Sequence, residues 1–539
     1  KARRQLERSL YSQLETVEGQ ASKLGYYELL GDYRLAEAHQ NAIRKVTAEQ
    51  VMFVAGRYFK LKNCSLVAYL PRQQDASPAT ESQVAGALKT RLKDVARRKT
   101  APAEQTEKAG TTQAKSGSAA RVDSTAATEK TVLVRLDNGV RVLVRRRPMI
   151  PLVSMLTMFK AGARLEKKGE SGLSLLALRS LIKGSRSHHW EDIANKIEGF
   201  GGSIDSFSGF DTAGVSINIL SRHLENVLPI YEDIVHQALY AESMVQKEKD
   251  KIAEEIAERK DTPFQYGMDN LFSNVFGDHP YSHPFLGREE DVRQLTSAKC
   301  KSWHKRMVVP ENIVACFVGD ITEEKAIELA NRLYGHLARR PVPLPEGPAP
   351  GDAVHPGMHE LSRPNFKQSV ALVGFTAPVM MSEEAISLEV LNGILSGLGG
   401  RLFVELRDKR SLGYMTGAAF LPLKERSIFF GYANPAVEGI DEALEVIQRE
   451  LDLVVREKVS DAELVRAKSW LTGSLIMKYQ RNYAKAYSYA AYEILDFGYE
   501  VIDRLPQIIQ RVTKEDILAA AGNVFHKDKA VLIKLIPEP

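Results

Sequence analysis

At 539 residues the chain is too long for a single core, and 44% hydrophobic and 26% charged residues are ordinary globular values, so two to four domains are expected. The net charge of +5 comes from Lys and Arg residues matched locally by Asp and Glu, not from a basic stripe, which argues against nucleic acid as the main partner. Cys64, Cys300 and Cys316 have no Cys-x-x-Cys spacing and support neither a disulfide framework nor a cysteine zinc site; they read as buried free thiols.

No apolar run reaches the length of a membrane span. No signal peptide opens the chain, and because Lys1 is not an initiator methionine a targeting segment before it stays open.

A long-period repeat begins at the first residue. Residues 1–10 (Lys-Ala-Arg-Arg-Gln-Leu-Glu-Arg-Ser-Leu) resemble residues 466–475 (Arg-Ala-Lys-Ser-Trp-Leu-Thr-Gly-Ser-Leu), and residues 45–51 resemble residues 511–517. The offset is 465 residues at first and 466 later, so the copies stay in register apart from one gap. Each copy continues through Ala-Gly (Ala55-Gly56, Ala521-Gly522) into a β-rich run ending at proline, at Pro71 and at Pro537. Residues 1–72 therefore read as the tail of one unit and residues 131–539 as a complete second unit. Residues 73–130, rich in Ala, Thr, Ser, Lys and Glu and poor in aromatics, read as a flexible linker with a helical stretch near 84–98.

The complete unit opens with a hairpin: apolar alternation flanks Asp137-Asn138-Gly139, a turn-forming triplet. Strand 152–159 follows, then helices near 172–185 and 190–200, an alternating strand 214–220, helices 224–236 and 243–259, and strand 313–318, which is expected to close the sheet. The Pro/Gly-rich stretch 340–357 marks a boundary near 345/346. The pattern then restarts with strand 368–375, helix 383–395, a glycine turn, strand 426–432, helices and a terminal strand. The expected fold class is α+β: two repeated domains, 131–345 and 346–539, each a mostly antiparallel sheet packed against helices.

Several segments recur in a telling order: Gly162-Ala163-Arg164-Leu165-Glu166, the helical frame 172–185, residues 200–206 (Phe-Gly-Gly-Ser-Ile-Asp-Ser), His279-Pro280-Tyr281 with Pro284 and Gly287, and Val318-Gly319-Asp320. In this order and spacing they resemble the pitrilysin/insulinase family of zinc metallopeptidases, the inverzincins. There the helical frame carries His-x-x-Glu-His, two zinc ligands on one helix face with a general base between them. Here those slots hold Leu175, Leu178 and Arg179, none of which can replace an imidazole or a general base. The third ligand of the family corresponds to Glu255, two helical turns after Glu248, and reads here as a salt-bridged or solvated carboxylate. No metal site is expected in this chain. His188-His189 and the pair His279 and His283 read as surface or packing residues, and residues 395–400 as a helix-ending turn, since they lack the Gly-Lys-Ser/Thr of a phosphate loop.

Two-unit members of the family divide the chemistry: the unit without zinc contributes an Arg and a Tyr spaced seven apart. Arg407 and Tyr414, in Arg407-Asp408-Lys409-Arg410-Ser411-Leu412-Gly413-Tyr414, match that pair. The resemblance implies a chain that supplies transition-state donors to a zinc-bearing half or homologous subunit, encloses a peptide substrate, and is inactive alone. It also implies a His-x-x-Glu-His about 290 residues before Lys1 in the intact frame, and an extracytoplasmic, periplasmic compartment. A non-catalytic scaffold or assembly subunit of the same fold stands as the rival.

Overall fold

Asn138 and Gly139 sit at a tight turn joining β1 (Val132–Arg135) to β2 (Arg141–Arg146), with Val132 opposite Val144 and Arg135 opposite Arg141. The Asn138 amide donates to the carbonyls of Tyr334 and Leu337, tying the turn to the end of helix Glu323–Tyr334. The computed structural model describes residues 1–60, 63–65, 67, 82, 83, 86, 130–341, 355–364 and 366–538. Residues 1–36 and 129–539 form one compact unit, and residues 37–128 a second. Most of residues 73–130, including most of the helical stretch expected near 84–98, lies outside the described residues, as does most of the strand expected before Pro71.

The first sheet adds β3 (Leu152–Lys160), β4 (Ser203–Ser208), β5 (Thr212–Leu220) and β6 (Val314–Gly319), in the order β1-β2-β6-β3-β5-β4. All pairs are antiparallel except β2 with β6. Strand β6 completes the sheet as its last strand in chain order, as expected, and lies inside it, between β2 and β3. The reason is legible in its composition: Val-Ala-Cys-Phe-Val is an unbroken apolar run, every residue of which is buried, and such a run needs cover on both faces. Cys316 and Cys300 are buried as expected, whereas Cys64 is exposed.

The second sheet comprises β7 (Gly357–Arg363), β8 (Val370–Ala377), β9 (Thr416–Leu421), β10 (Ser427–Ala433) and β11 (Val531–Pro537), ordered β7-β11-β8-β10-β9. Strands β4, β7 and β9 carry weak apolar signals and were not foreseen.

Each sheet has its own helical layer on one face and a helix from the other half on the opposite face. Met155, Phe159, Val215 and Phe317 pack with Leu176, Tyr231, Trp303 and Tyr334. The reverse face, with Leu143, Leu156, Met158 and Cys316, meets Ala486, Tyr489, Ala490 and Ile494 of helix Asn482–Ile494. Reciprocally, Leu372, Ile428, Phe430 and Ile533 of the second sheet meet Leu271, Val275 and Phe276 of helix Pro263–Phe276. Neither sheet buries both faces without the other half.

The sequence repeat is also a repeat of helices. Val17–Leu29 and Asn482–Ile494 have equal length at an offset of 465, and Leu35–Lys45 and Ala48–Tyr58 match Val501–Arg511 and Lys514–Val524 at 466. Both copies of the last helix start with a capping box, Thr47 with Gln50 and Thr513 with Asp516.

Candidate functional site

The helix expected to correspond to the zinc-motif frame runs Leu173–Leu181 and starts without a capping hydroxyl. The Glu166 carboxylate takes that role, accepting the backbone N–H groups of Gly172 (2.8 Å) and Ser174 (2.7 Å). Gly172 is required here: its φ is 90°, and a Cβ would lie 2.9 Å from Val292 Cγ2 and 3.0 Å from the Leu286 carbonyl. Thus the Gly162–Glu166 motif sets the helix start, whatever the helix carries.

Burial pushes the Glu166 carboxyl up to about 7, against the pull of those two N–H donors. The folded chain then holds a proton that the unfolded chain releases between pH 4.5 and 7, so stability falls as pH rises through that window. Glu166→Gln keeps an acceptor for the helix end and is expected to remove this component of the slope, read from melting temperatures across pH 4.5 to 8.

Along the helix, Leu175 and Leu178 are buried in the first core. Arg179 forms a bidentate pair with Glu255, Nη1 to Oε1 at 2.7 Å and Nη2 to Oε2 at 2.8 Å. Glu248, on the same face of helix Glu242–Asp261, is buried and paired with Lys251 (3.0 Å) and Lys183 (3.6 Å). Two leucines offer no lone pair, and the one carboxylate of the set has both oxygens engaged by a guanidinium, so these residues do not fit zinc. Among the described residues no group of three or more His, Cys, Asp or Glu has an arrangement that could hold a metal ion.

Of the two histidine pairs, His188 and His279 take part in packing, and His189 is exposed. His188 Nδ1 lies 3.2 Å from Asp233. His279 is buried, with Nδ1 accepting the Tyr281 N–H (3.1 Å) and Nε2 3.1 Å from Glu425. It belongs to a network that the sequence did not reveal: Arg164 pairs with Asp211 and Glu425, both at 2.5 Å, and the Tyr281 hydroxyl donates to Asp211 at 2.7 Å. The network joins the first half to the β9–β10 turn of the second. It gives Arg164 and the His279-Pro280-Tyr281 segment a structural role.

Arg407 and Tyr414 are brought together. Arg407 lies in the π-helical turn Phe403–Asp408, in which Lys409 N–H donates five residues back to the Val404 carbonyl (3.0 Å). Its guanidinium carbon is 4.9 Å from the Phe403 ring centroid and 4.6 Å from that of Tyr414, a cation between two aromatic faces. Gly413, at φ 109°, turns the chain between them, and a Cβ there would meet the Asn434 carbonyl at 2.8 Å. Asn434 Oδ1 then fixes the next residue by accepting the Met415 N–H at 2.7 Å. Tyr414 precedes β9 in this loop and is 75% exposed.

Neighbouring charges are spent on one another: Lys409, Arg410 and Arg449 all bind Glu405. Among the described residues, Arg407 has no carboxylate partner and the Tyr414 hydroxyl no hydrogen-bond partner. Both donors are held in place and uncommitted. Phe403 was missed by the sequence reading, although its position four residues before Arg407 signals it.

Residues 141–289 match the sequence model of the insulinase peptidases (family M16), and residues 294–471 match that of the M16 inactive domain. The chain belongs to the M16 family. An "uncharacterized zinc protease" of Rickettsia felis is 26% identical over 400 residues, covering 72% of this chain and 94% of its own. One from Bacillus subtilis is 23% identical over 400 residues, covering 74% and 96%. Two solved M16-like folds agree with the architecture. A protease from Helicobacter pylori has a TM-score of 0.70 at 20% identity, covering 76% of this chain and all of its own. An M16 inactive domain from Pseudomonas fluorescens has 0.69 at 21%, covering 76% and 98%. No described helix is long and apolar enough to cross a membrane. In this M16 chain, then, Leu175 and Leu178 are core leucines and Arg179 is tied to Glu255, while among the described residues Arg407 and Tyr414 keep their donors free.

Proposed function

We propose that the chain is the zinc-free part of a two-half M16 peptidase, enclosing a peptide and donating hydrogen bonds from Arg407 and Tyr414 to the scissile carbonyl. The observation that carries this reading is the pairing of a disabled zinc slot with an uncommitted, stacked guanidinium and an exposed phenol. A scaffold would have no need to hold two donors free; here the alternative cation partner, Glu405, is taken up by other residues.

As the carbonyl oxygen gains negative charge, a guanidinium fixed between two rings and a phenol beside it can bind it without reorganisation. The zinc and the water it activates belong to the other half. Strand β4, at the open edge of the first sheet and against the Leu173–Leu181 helix, has backbone groups suited to pairing with an extended peptide.

A partner half is further supported by an uncovered surface. Helix Asn482–Ile494 buries Ala486, Tyr489, Ala490 and Ile494 on the first sheet, whereas its counterpart Val17–Leu29 buries no residue. Leu24 and Leu29, at the positions of Tyr489 and Ile494, are 50% and 89% exposed. Among the described residues the face that covers a sheet in one copy meets none in the other, and a partner half would supply it.

The test is zinc content and peptide cleavage of this chain alone and with a zinc-bearing half. Little or no zinc and no chelator-sensitive cleavage alone, with activity on combination, is the expected outcome. Stoichiometric zinc or robust chelator-sensitive cleavage by the chain alone would refute this division of labour. Unchanged activity of the combined protein after Arg407→Ala would favour a scaffold.

A further inference from the structure

A cavity of about 320 Å³ opens among helices Glu383–Leu395, Asp461–Lys478, Asn482–Ile494 and Val501–Arg511, the β9–β10 turn and residues 209–212 of the first half, with neither Arg407 nor Tyr414 on its wall. Helical spacing aims Leu471, Leu475 and Lys478 from one helix at the same space as Leu505 and Ile509 from another. Protein interiors leave few voids larger than a water, and an apolar void of about 150 Å³ already takes up benzene. This one is roughly twice that size and lies in the lower range of ligand pockets.

One charged group in it has no partner. Glu389 lines the cavity, and among the described residues it makes no hydrogen bond or ion pair. Burial raises its pKa, with the charge of Lys478 acting against that rise. Tyr479 and Tyr492, also on the wall, have hydroxyls raised by burial, to which the Glu389 charge adds. Lys478 is exposed, with its ammonium 5.6 Å from the Tyr479 ring centroid. A half-buried carboxylate without a hydrogen bond or ion pair, among the leucines and isoleucines of the wall, offers an acceptor to a donor that enters the cavity, and the two phenol rings on the wall favour a cationic one.

We propose that this cavity binds a small apolar amine, its ammonium on Glu389 between Tyr479 and Tyr492 and its hydrocarbon body among Ile386, Leu475 and Ile509. An ammonium supplies three donors to the carboxylate. A carboxylate-bearing ligand is repelled by Glu389, and an alcohol of the same length offers one neutral donor, so charge as well as shape discriminates. The same chemistry is present in a free alkylamine and in the amino terminus of a short apolar peptide.

Calorimetric titration of the full chain with heptylamine, heptanol, Leu-Leu amide and its N-acetyl form distinguishes these sources. Saturable one-to-one binding of heptylamine or of Leu-Leu amide is expected, and whichever binds identifies the source, with the acetylated peptide not binding. Glu389→Gln is expected to weaken amine binding at least tenfold with the melting temperature unchanged, and Leu475→Trp to abolish it by filling the cavity. Lys478→Met is expected to tighten it by removing a competing ammonium. Absence of binding by both amines would overturn the proposal, as would equal affinity of heptanol and heptylamine, undiminished binding by Glu389→Gln, or weaker binding by Lys478→Met.

Discussion

In the combined two-half protein, Arg407→Ala is expected to lower kcat for peptide cleavage by about 100- to 1000-fold, the cost typical of removing one preorganised oxyanion donor. KM should change far less, because the interaction is strongest once the carbonyl has become an oxyanion. Tyr414→Phe separates the two possible roles of that residue. It keeps the ring 4.6 Å from the guanidinium carbon and removes only the hydroxyl, so a fall in kcat with unchanged stability assigns the effect to the lost donor. Tyr414→Leu removes the stacking face as well and should lower kcat further. Arg407→Lys is expected to fail nearly as badly as alanine: a flexible ammonium has neither the planar fork nor the fit between Phe403 and Tyr414. Steady-state kinetics of the four variants, with melting curves to confirm the fold, check the set. Full activity in Arg407→Ala would remove the pair from the mechanism.

Arg407 and Tyr414 are proposed from sequence on their resemblance to a pair seven apart after a glycine turn, and the structure adds that the two side chains stack. That Leu175, Leu178 and Arg179 do not fit zinc follows from side-chain chemistry alone, since leucine and arginine lack the lone pairs of imidazole at any geometry. The fate of the remaining carboxylate was left between solvent and salt bridge, because Arg179 and Glu255 are 76 residues apart and only the packing of two helices brings them to 2.7 Å. Strongly periodic elements such as Leu224–His236 and Glu383–Leu395 appear at the expected residues. Strand β4 has only Ile204 and Phe207 as apolar residues, on opposite faces, and so little apolar pattern, because it is an edge. Helix Pro263–Phe276 was hidden because its apolar face serves the second sheet, so its sequence made sense only once the exchange of helices between halves was known.

That exchange explains why the Arg164 network should matter most for stability. Arg164→Ala is expected to cost about 3–5 kcal/mol, the range for removing one partner of a buried ion pair. Arg164 and Asp211 are 7% and 8% exposed in their side chains, so the charge left on Asp211 finds little water. Asp211 would still accept from the Tyr281 hydroxyl and from the Lys424 N–H at 3.1 Å, but two neutral donors do not replace a guanidinium. Arg164→Ala with Asp211→Ala removes both charges and should recover part of the loss, whereas Glu425→Gln, at a more exposed carboxylate, should cost less than either single change. Urea unfolding of these three variants and of Asp211→Ala alone measures the set. Because the network ties the turn before β10 to the first half, and each sheet depends on a helix of the other half, Arg164→Ala should lower the midpoint of one cooperative transition. Two separate transitions, with only one of them shifted, would mean that the halves fold independently and that the reciprocal helices do not couple them.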